Sequence, residues 1–335
     1  MELKLKKIVE FLKNRGLNYS ISKKGVIILE RKFLLVPHGW DQSSNLDIVQ
    51  VDFNNENEFI NVISKIVNLK IYKDILKVYH LIKKNPWYSY NNDILNESWD
   101  SIKQNKNNKC FKIIKHFHLS LLDSKRNKSQ SPREFLSNRK NILFLIKNRF
   151  IYSKNVTPES VFSALSISKR SPIVSIFSPI LVRKLINQHY SDCKNVIDPF
   201  SGFSGRMLGT LSLGKKYFGG DIRGDVINES KDILDFINEF CHLEVSDFKD
   251  FSVKTGDLLL TCPPYGRTEL WNGVNEYYDE DYYIDWILQN YNCKKYIFVV
   301  KKTKYTNNIV DTIKNGSWVK NTDSEKILLF NKGIL

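Results

Sequence analysis

The stretch Asn195–Leu211, NVIDPFSGFSGRMLGTL, decides the fold. A β-branched run reaches Asp198 and passes through Pro199 and Phe200 to Gly202 and Gly205, before a helix-like segment. This is how a buried strand of a doubly wound sheet hands the chain to a crossover helix. Ligands of such folds bind over the carboxyl ends of the strands, where glycines permit close backbone approach. The next apolar run, KYFGGDI, ends in Asp221, 23 residues after Asp198. A carboxylate there suits the two hydroxyls of a ribose. A third run, EVSDF, places Asp247 at a strand end near an adenine ring, with Asp250 competing for that position.

Outward from this stretch the same texture repeats in DLLLTCPP, KYIFVV and KILLF, with amphipathic segments between. That alternation predicts a mainly parallel α/β sheet. The last portion, SWVKNTDSEKILLFN, reads as two strands with a short turn, so the sheet should end in an antiparallel hairpin.

Before residue 150 the pattern differs. MELKLKKIVEFLKNRG reads as an amphipathic helix ending at Gly16 rather than a signal peptide. Short strands follow in YSISKK, GVIILERKFLLVPH and DIVQVDF, and residues 61–150 are helical in pattern. The expected organisation is a basic N-terminal region, 1–150, with a small α+β part over 1–60, and a second domain over 151–335.

The formal net charge of +15 is regional. Residues 101–150 hold 13 Lys and Arg against 2 Asp and Glu, and the 185 residues after 150 are nearly neutral. Basic residues interleaved with Asn, Ser, Gln and aromatics suit a phosphate-contacting surface. No apolar run approaches the roughly 18 residues of a membrane span, and a cytoplasmic protein is expected. Five cysteines without a CxxC pair argue against a disulfide framework or zinc knuckle. Cys110, His116 and His118 cluster, but no fourth ligand stands nearby, and no metal is expected.

DPFSGFSG followed, about 65 residues later, by Thr261-Cys262-Pro263-Pro264-Tyr265 resembles two motifs of the S-adenosylmethionine-dependent DNA amino-methyltransferases. These enzymes act on adenine N6 or cytosine N4. The segment SIFSPILVRKLINQHY, with Phe177 and Pro179, resembles the family's element that packs over the methionine end of the cofactor. The resemblance covers about residues 170–335. It implies a Rossmann-like class I methyltransferase sheet and S-adenosylmethionine as cofactor. The substrate implied is double-stranded DNA with the target base flipped out, and the partner a cognate restriction endonuclease. Phe177, Pro179, Asp198, Pro199, Phe200, Gly202, Gly205, Asp221, Asp247 and Thr261 would then line the cofactor site, Asp198 pairing with the ligand's ammonium group.

Cys262, Pro263, Pro264 and Tyr265 would carry the chemistry. An exocyclic amine is a poor nucleophile because its lone pair is delocalised into the ring. Acceptors on its two protons draw the nitrogen towards tetrahedral geometry and aim the lone pair at the methyl group. Rigid prolines hold the Pro263 carbonyl as one acceptor, and Tyr265 offers a ring for the base to stack on. The base must leave its helix to reach such a pocket. Cys262 departs from the family's Asp, Asn or Ser. A thiol is a weak acceptor, so Thr261 or a water would have to help, and the choice of adenine or cytosine stays open. Trp271 and Tyr277 are further stacking candidates. Two alternatives stand beside this reading: an RNA base methyltransferase, and a non-catalytic nucleic-acid-binding subunit that keeps the fold.

Overall fold

The computed structural model describes residues 19–22, 25–28, 33–36, 47–50, 69–85, 87–107, 109–126, 129–152, 156–165, 174–264, 269–270, 278–301, 317–320 and 325–331. The expected helix ending at Gly16 lies outside these residues, as do Tyr265, Trp271 and Tyr277.

The chain divides into two compact units. One joins residues 1–88 with 129–173; the other joins 89–128 with 174–335. This differs from the boundary drawn at residue 150. The middle of the basic stretch belongs with the large sheet because its helices bury apolar faces there. Ile102, Ile113, Ile114, Leu121 and Leu122 are all buried in the second unit.

The first unit contains a four-stranded sheet. Gly25–Ile28 and Phe33–Val36, read in sequence as one run, form an antiparallel hairpin pairing Val26 with Leu35 and Ile28 with Phe33. Helices follow over Leu69–Lys84, Pro132–Ser137, Arg139–Tyr152 and Pro158–Ser163. Ser131 and Glu134 form a capping box at the second of these.

Among the described residues, the second unit is built on a seven-stranded sheet. In chain order its strands are β1 (Asn195–Asp198), β2 (Lys216–Asp221), β3 (His242–Val245), β4 (Thr255–Thr261), β5 (Asn292–Lys301), β6 (Ser317–Lys320) and β7 (Glu325–Asn331). Across the sheet the order is β6-β7-β5-β4-β1-β2-β3. The pairs β4–β5, β1–β4, β1–β2 and β2–β3 are parallel. The last hairpin, β6–β7, is antiparallel, and β7 also runs antiparallel to β5. The expected sheet and its terminal hairpin are both present. β1 and β4 are neighbours whose chains continue to opposite sides, so their carboxyl ends flank the crevice where such sheets bind ligands.

Leu258, Leu259 and Leu260 of β4 and Tyr296 to Val300 of β5 are almost fully buried. A strand covered on both faces reads as a continuous apolar run, which is why DLLLT shows no alternation. The helix Glu280–Asn290 covers one face through Tyr283, Ile284 and Ile287, which pack with Leu259, Tyr296 and Phe298. Burying a side chain of this size stabilises by about 1.5–3 kcal/mol. Pro179 opens the helix Pro179–His189, and the hydroxyl of Ser178 accepts from the Leu181 N–H. That helix packs on the helix Gly205–Leu211.

Candidate methyltransferase site

Asp198 closes β1 and is fully buried. Its Oδ2 accepts from Arg206 Nε at 2.6 Å and from the Tyr217 hydroxyl at 2.7 Å. Its Oδ1 accepts from the Thr261 hydroxyl at 2.7 Å and from the Phe200 N–H at 3.3 Å. A carboxylate has about four lone-pair sites, and all four are taken by the protein itself. For Asp198 to pair with a ligand's ammonium group, as expected, one of these donors would have to give way. This carboxylate ties the loop after β1 to β2 and to the end of β4.

Arg206 completes a buried ion pair, and its guanidinium also donates to the Phe200 carbonyl. Burial works against its charge, but Asp198, with smaller help from Cys262 and Tyr217, more than restores it, and its pKa is raised. Burial first, then the Asp198 charge, push the Tyr217 hydroxyl well above its ordinary pKa, so it stays a donor. Thr261 donates its hydroxyl proton to Asp198 and keeps its oxygen lone pairs as acceptors. Cys262 and Pro264 are half-buried and Pro263 is buried.

The loop between Asp198 and Gly205 is folded by its two glycines for different reasons. Gly202 has φ of +54°, a left-handed conformation costly for other residues, and its N–H donates to Asp221 Oδ2 at 2.9 Å. Gly205 is close-packed instead: a Cβ there would lie 2.0 Å from the Phe177 carbonyl oxygen. Gly205 thus lets the chain's own backbone approach closely at Phe177. Phe177 is half-buried with the Arg206 guanidinium 5.3 Å from its ring centroid, and Pro179 is buried. The segment resembling the family's methionine-end element therefore adjoins the loop after β1.

Asp221, at the end of β2, accepts from Gly202 N–H and, at Oδ1, from Arg223 N–H at 3.0 Å. Each oxygen keeps one lone pair, as a ribose-binding carboxylate requires. Burial raises its pKa and the two N–H donors oppose the rise. Pro199 is buried, and Phe200 stacks on Phe248 with ring centroids 5.1 Å apart. Asp247 lies two residues beyond β3 rather than at its end. Its side chain is half-buried and accepts from the Lys249 N–H at 2.9 Å, while the competing Asp250 is exposed.

Three residues escaped the sequence reading. Ile222 follows Asp221 and is 50% exposed. The hydroxyls of Ser201 and Ser246 are buried without a partner. Ser201 N–H donates to the Gly220 carbonyl and Ser246 N–H to the Asp221 carbonyl, so both serines adjoin the end of β2. Two orphaned hydroxyls beside a half-satisfied carboxylate and an exposed apolar side chain fit a polar nucleoside ligand. S-adenosylmethionine has that chemistry. The only hint in the sequence was their position next to Asp221 and Asp247.

The basic segment reaches the same side of the fold. Lys125–Arg126 pairs antiparallel with Glu269–Leu270, registering Arg126 with Glu269 and Lys125 with Leu270. The loop after Cys262-Pro263-Pro264 is thereby tied to residues 101–128. Several lysines there also serve the fold. Lys109 pairs with Glu97, Lys112 lies over the Tyr90 ring, and Lys103 lies over Trp99 while pairing with Asp100. His116 Nδ1 accepts from the Tyr90 N–H at 3.0 Å, and the Cys110 thiol donates to the Asn107 carbonyl. Among the described residues no group of three metal-ligating side chains converges, and no helix is long and apolar enough to cross a membrane.

The sheet is that of the class I methyltransferase fold: mainly parallel, with an antiparallel hairpin at the C-terminal end. The sequence matches no family model and no curated protein. Solved structures resemble it in part. One is a provisionally assigned class I S-adenosylmethionine-dependent methyltransferase of Listeria monocytogenes, 13% identical with a TM-score of 0.41, covering 72% of this chain and 87% of that one. Another is a methyltransferase of Geobacter sulfurreducens, 12% identical with a TM-score of 0.36, covering 52% and 87%. A third is the human methyltransferase 10 domain containing protein, 14% identical with a TM-score of 0.35, covering 45% and 78%. Likenesses of this size say nothing of the reaction, which rests on the chain's own residues.

Proposed function

We propose that this protein transfers a methyl group from S-adenosylmethionine to an exocyclic amine, adenine N6 or cytosine N4, of a base flipped out of DNA. One observation carries the proposal. The Thr261 hydroxyl is bonded to Asp198, so the Cys-Pro-Pro segment and the glycine loop after β1 hang from one buried carboxylate. A base amine over the first and a nucleoside cofactor over the second would be neighbours, and holding two reactants together is a large part of catalysis.

When bound, S-adenosylmethionine would supply an electrophilic methyl on its sulfonium; the amine forms the new C–N bond as the C–S bond breaks to leave the thioether S-adenosylhomocysteine, and the amine's proton passes to water. Asp221 would accept the ribose hydroxyls, Ser201 and Ser246 would supply the missing polar partners, and the exposed Ile222 would pack the adenine. Asp198 acts through Arg206, Tyr217 and Thr261 as a positioning residue. The Pro263 carbonyl would accept from the amine, and Tyr265 would stack on the base. Cys262 adds little as an acceptor, which places more of the amine's activation on Pro263.

The test is mass spectrometry of nucleosides digested from DNA and RNA of cells making the protein. N6-methyladenosine or N4-methylcytidine in the deoxy series, reduced when Pro263, whose ring holds the carbonyl in place, is replaced by Ala, is the expected result. Methylated bases in RNA alone would move the substrate to RNA. No new methylated base in either, with S-adenosylmethionine still bound by the purified protein, would support a non-catalytic subunit.

A further inference from the structure

His118 belongs to none of these roles, yet it is fully buried and joined to polar groups on both sides. Its Nδ1 lies 3.0 Å from Glu229 Oε2 and its Nε2 lies 2.7 Å from Ser204 Oγ. Glu229 also accepts from the Ser120 N–H at 2.8 Å and from the Ser120 hydroxyl. Ser204 Oγ lies 2.7 Å from Ser230 Oγ, which donates to the Val226 carbonyl. The Phe203 ring meets the imidazole edge to face, with centroids 5.4 Å apart. A polar line thus runs from the helix Gly224–Ile237 through His118 into the loop after β1.

Serine, histidine and carboxylate in this order resemble a hydrolase triad. Ser204 is only 1% exposed, however, and its oxygen already lies between His118 and Ser230. No substrate carbonyl reaches it. What distinguishes Ser204 is its backbone. Its φ is +56°, left-handed, a conformation that disfavours any residue with a Cβ. It stands immediately before Gly205 and the helix, and its hydroxyl does not cap that helix. The side chain is turned to His118 and Ser230 instead.

We infer that His118 is a positioning residue for the cofactor. By holding the Ser204 hydroxyl it fixes the left-handed turn, and with it the course of the Asp198–Gly205 loop. This rests on the cofactor assignment proposed above. It also gives the segment 89–128 a part in the cofactor site without touching the ligand.

Calorimetric titration of the full-length protein with S-adenosylhomocysteine tests it, alongside thermal unfolding. The amide nitrogen of Gln reproduces Nε2 of histidine, and that of Asn reproduces Nδ1. His118→Gln should bind within about threefold of the unaltered protein. His118→Asn, which keeps only the Glu229 side, should bind about tenfold more weakly, the cost of one buried hydrogen bond. In a Ser204→Gly background the same Asn substitution should cost less than about twofold, because glycine holds a positive φ unaided. Equal losses in Gln and Asn, or an undiminished loss in the glycine background, would overturn the inference and leave His118 a packing residue. Failure of the unaltered protein to bind overturns the cofactor assignment as well, and is told apart by appearing without any substitution.

Discussion

Asp198 was legible as a site residue because an acidic side chain ending a β-branched strand before a glycine loop is expensive unless it is used. Its use was not legible. Arg206, Tyr217 and Thr261 converge on it from 8, 19 and 63 residues away in sequence, and no local spacing announces three such partners. Asp198→Ala should leave Arg206 buried and unpaired, costing about 3–5 kcal/mol of stability as well as the cofactor site. Tyr217→Phe removes a hydrogen bond to the carboxylate and should cost about 1.5–3 kcal/mol. Urea denaturation checks both, and equal costs would mean that the ion pair is not the anchor. His116 yields a pH prediction. Burial lowers its pKa and its Nδ1 accepts from the Tyr90 N–H, so the folded state favours the neutral ring. The unfolded chain takes up the proton first, near pH 6.5. Stability from this residue is therefore complete above about pH 6.5 and is lost as pH falls towards the folded ring's lower pKa. His116→Gln should flatten the stability profile as pH falls below about 6.5; an unchanged profile would contradict the assignment.

At the scale of elements, the strands of the second unit could be read from their apolar runs because a doubly covered sheet leaves little room for polar residues. The end of the third strand was placed two residues late, since Ser246 and Asp247 extend the apparent run while their backbone already turns to meet Asp221 and Phe251. The packing of Gly205 on the Phe177 backbone was not legible, because a glycine packed on backbone and a glycine beside a ligand look alike in sequence. Gly205→Ala makes the distinction measurable. On an open helix the change would stabilise by about 0.4–1 kcal/mol. Here the new Cβ meets the Phe177 carbonyl, and overpacking of this kind costs about 1–3 kcal/mol. A melting temperature that rises would show that the two segments do not touch.

Across the whole molecule, the positive charge was visible in composition, but its distribution between the two units was not. Burial of apolar helix faces, rather than charge, assigns residues 89–128 to the sheet. The segment then anchors itself by backbone pairing of Lys125–Arg126 with Glu269–Leu270, and through Ser120 to Glu229. Lys103 and Lys106 are exposed. Their replacement by Glu should weaken nucleic-acid binding and flatten its salt dependence by about 0.9 in logarithmic slope for each duplex phosphate no longer neutralised. An unchanged slope would make this face a solvated surface only. The central claim, base methylation, has a more direct test. The purified protein is incubated with methyl-labelled S-adenosylmethionine and duplex DNA, then the DNA is digested to nucleosides. Label in N6-methyldeoxyadenosine or N4-methyldeoxycytidine is the predicted result; a protein that binds the cofactor yet transfers no label to any base of DNA or RNA would contradict it.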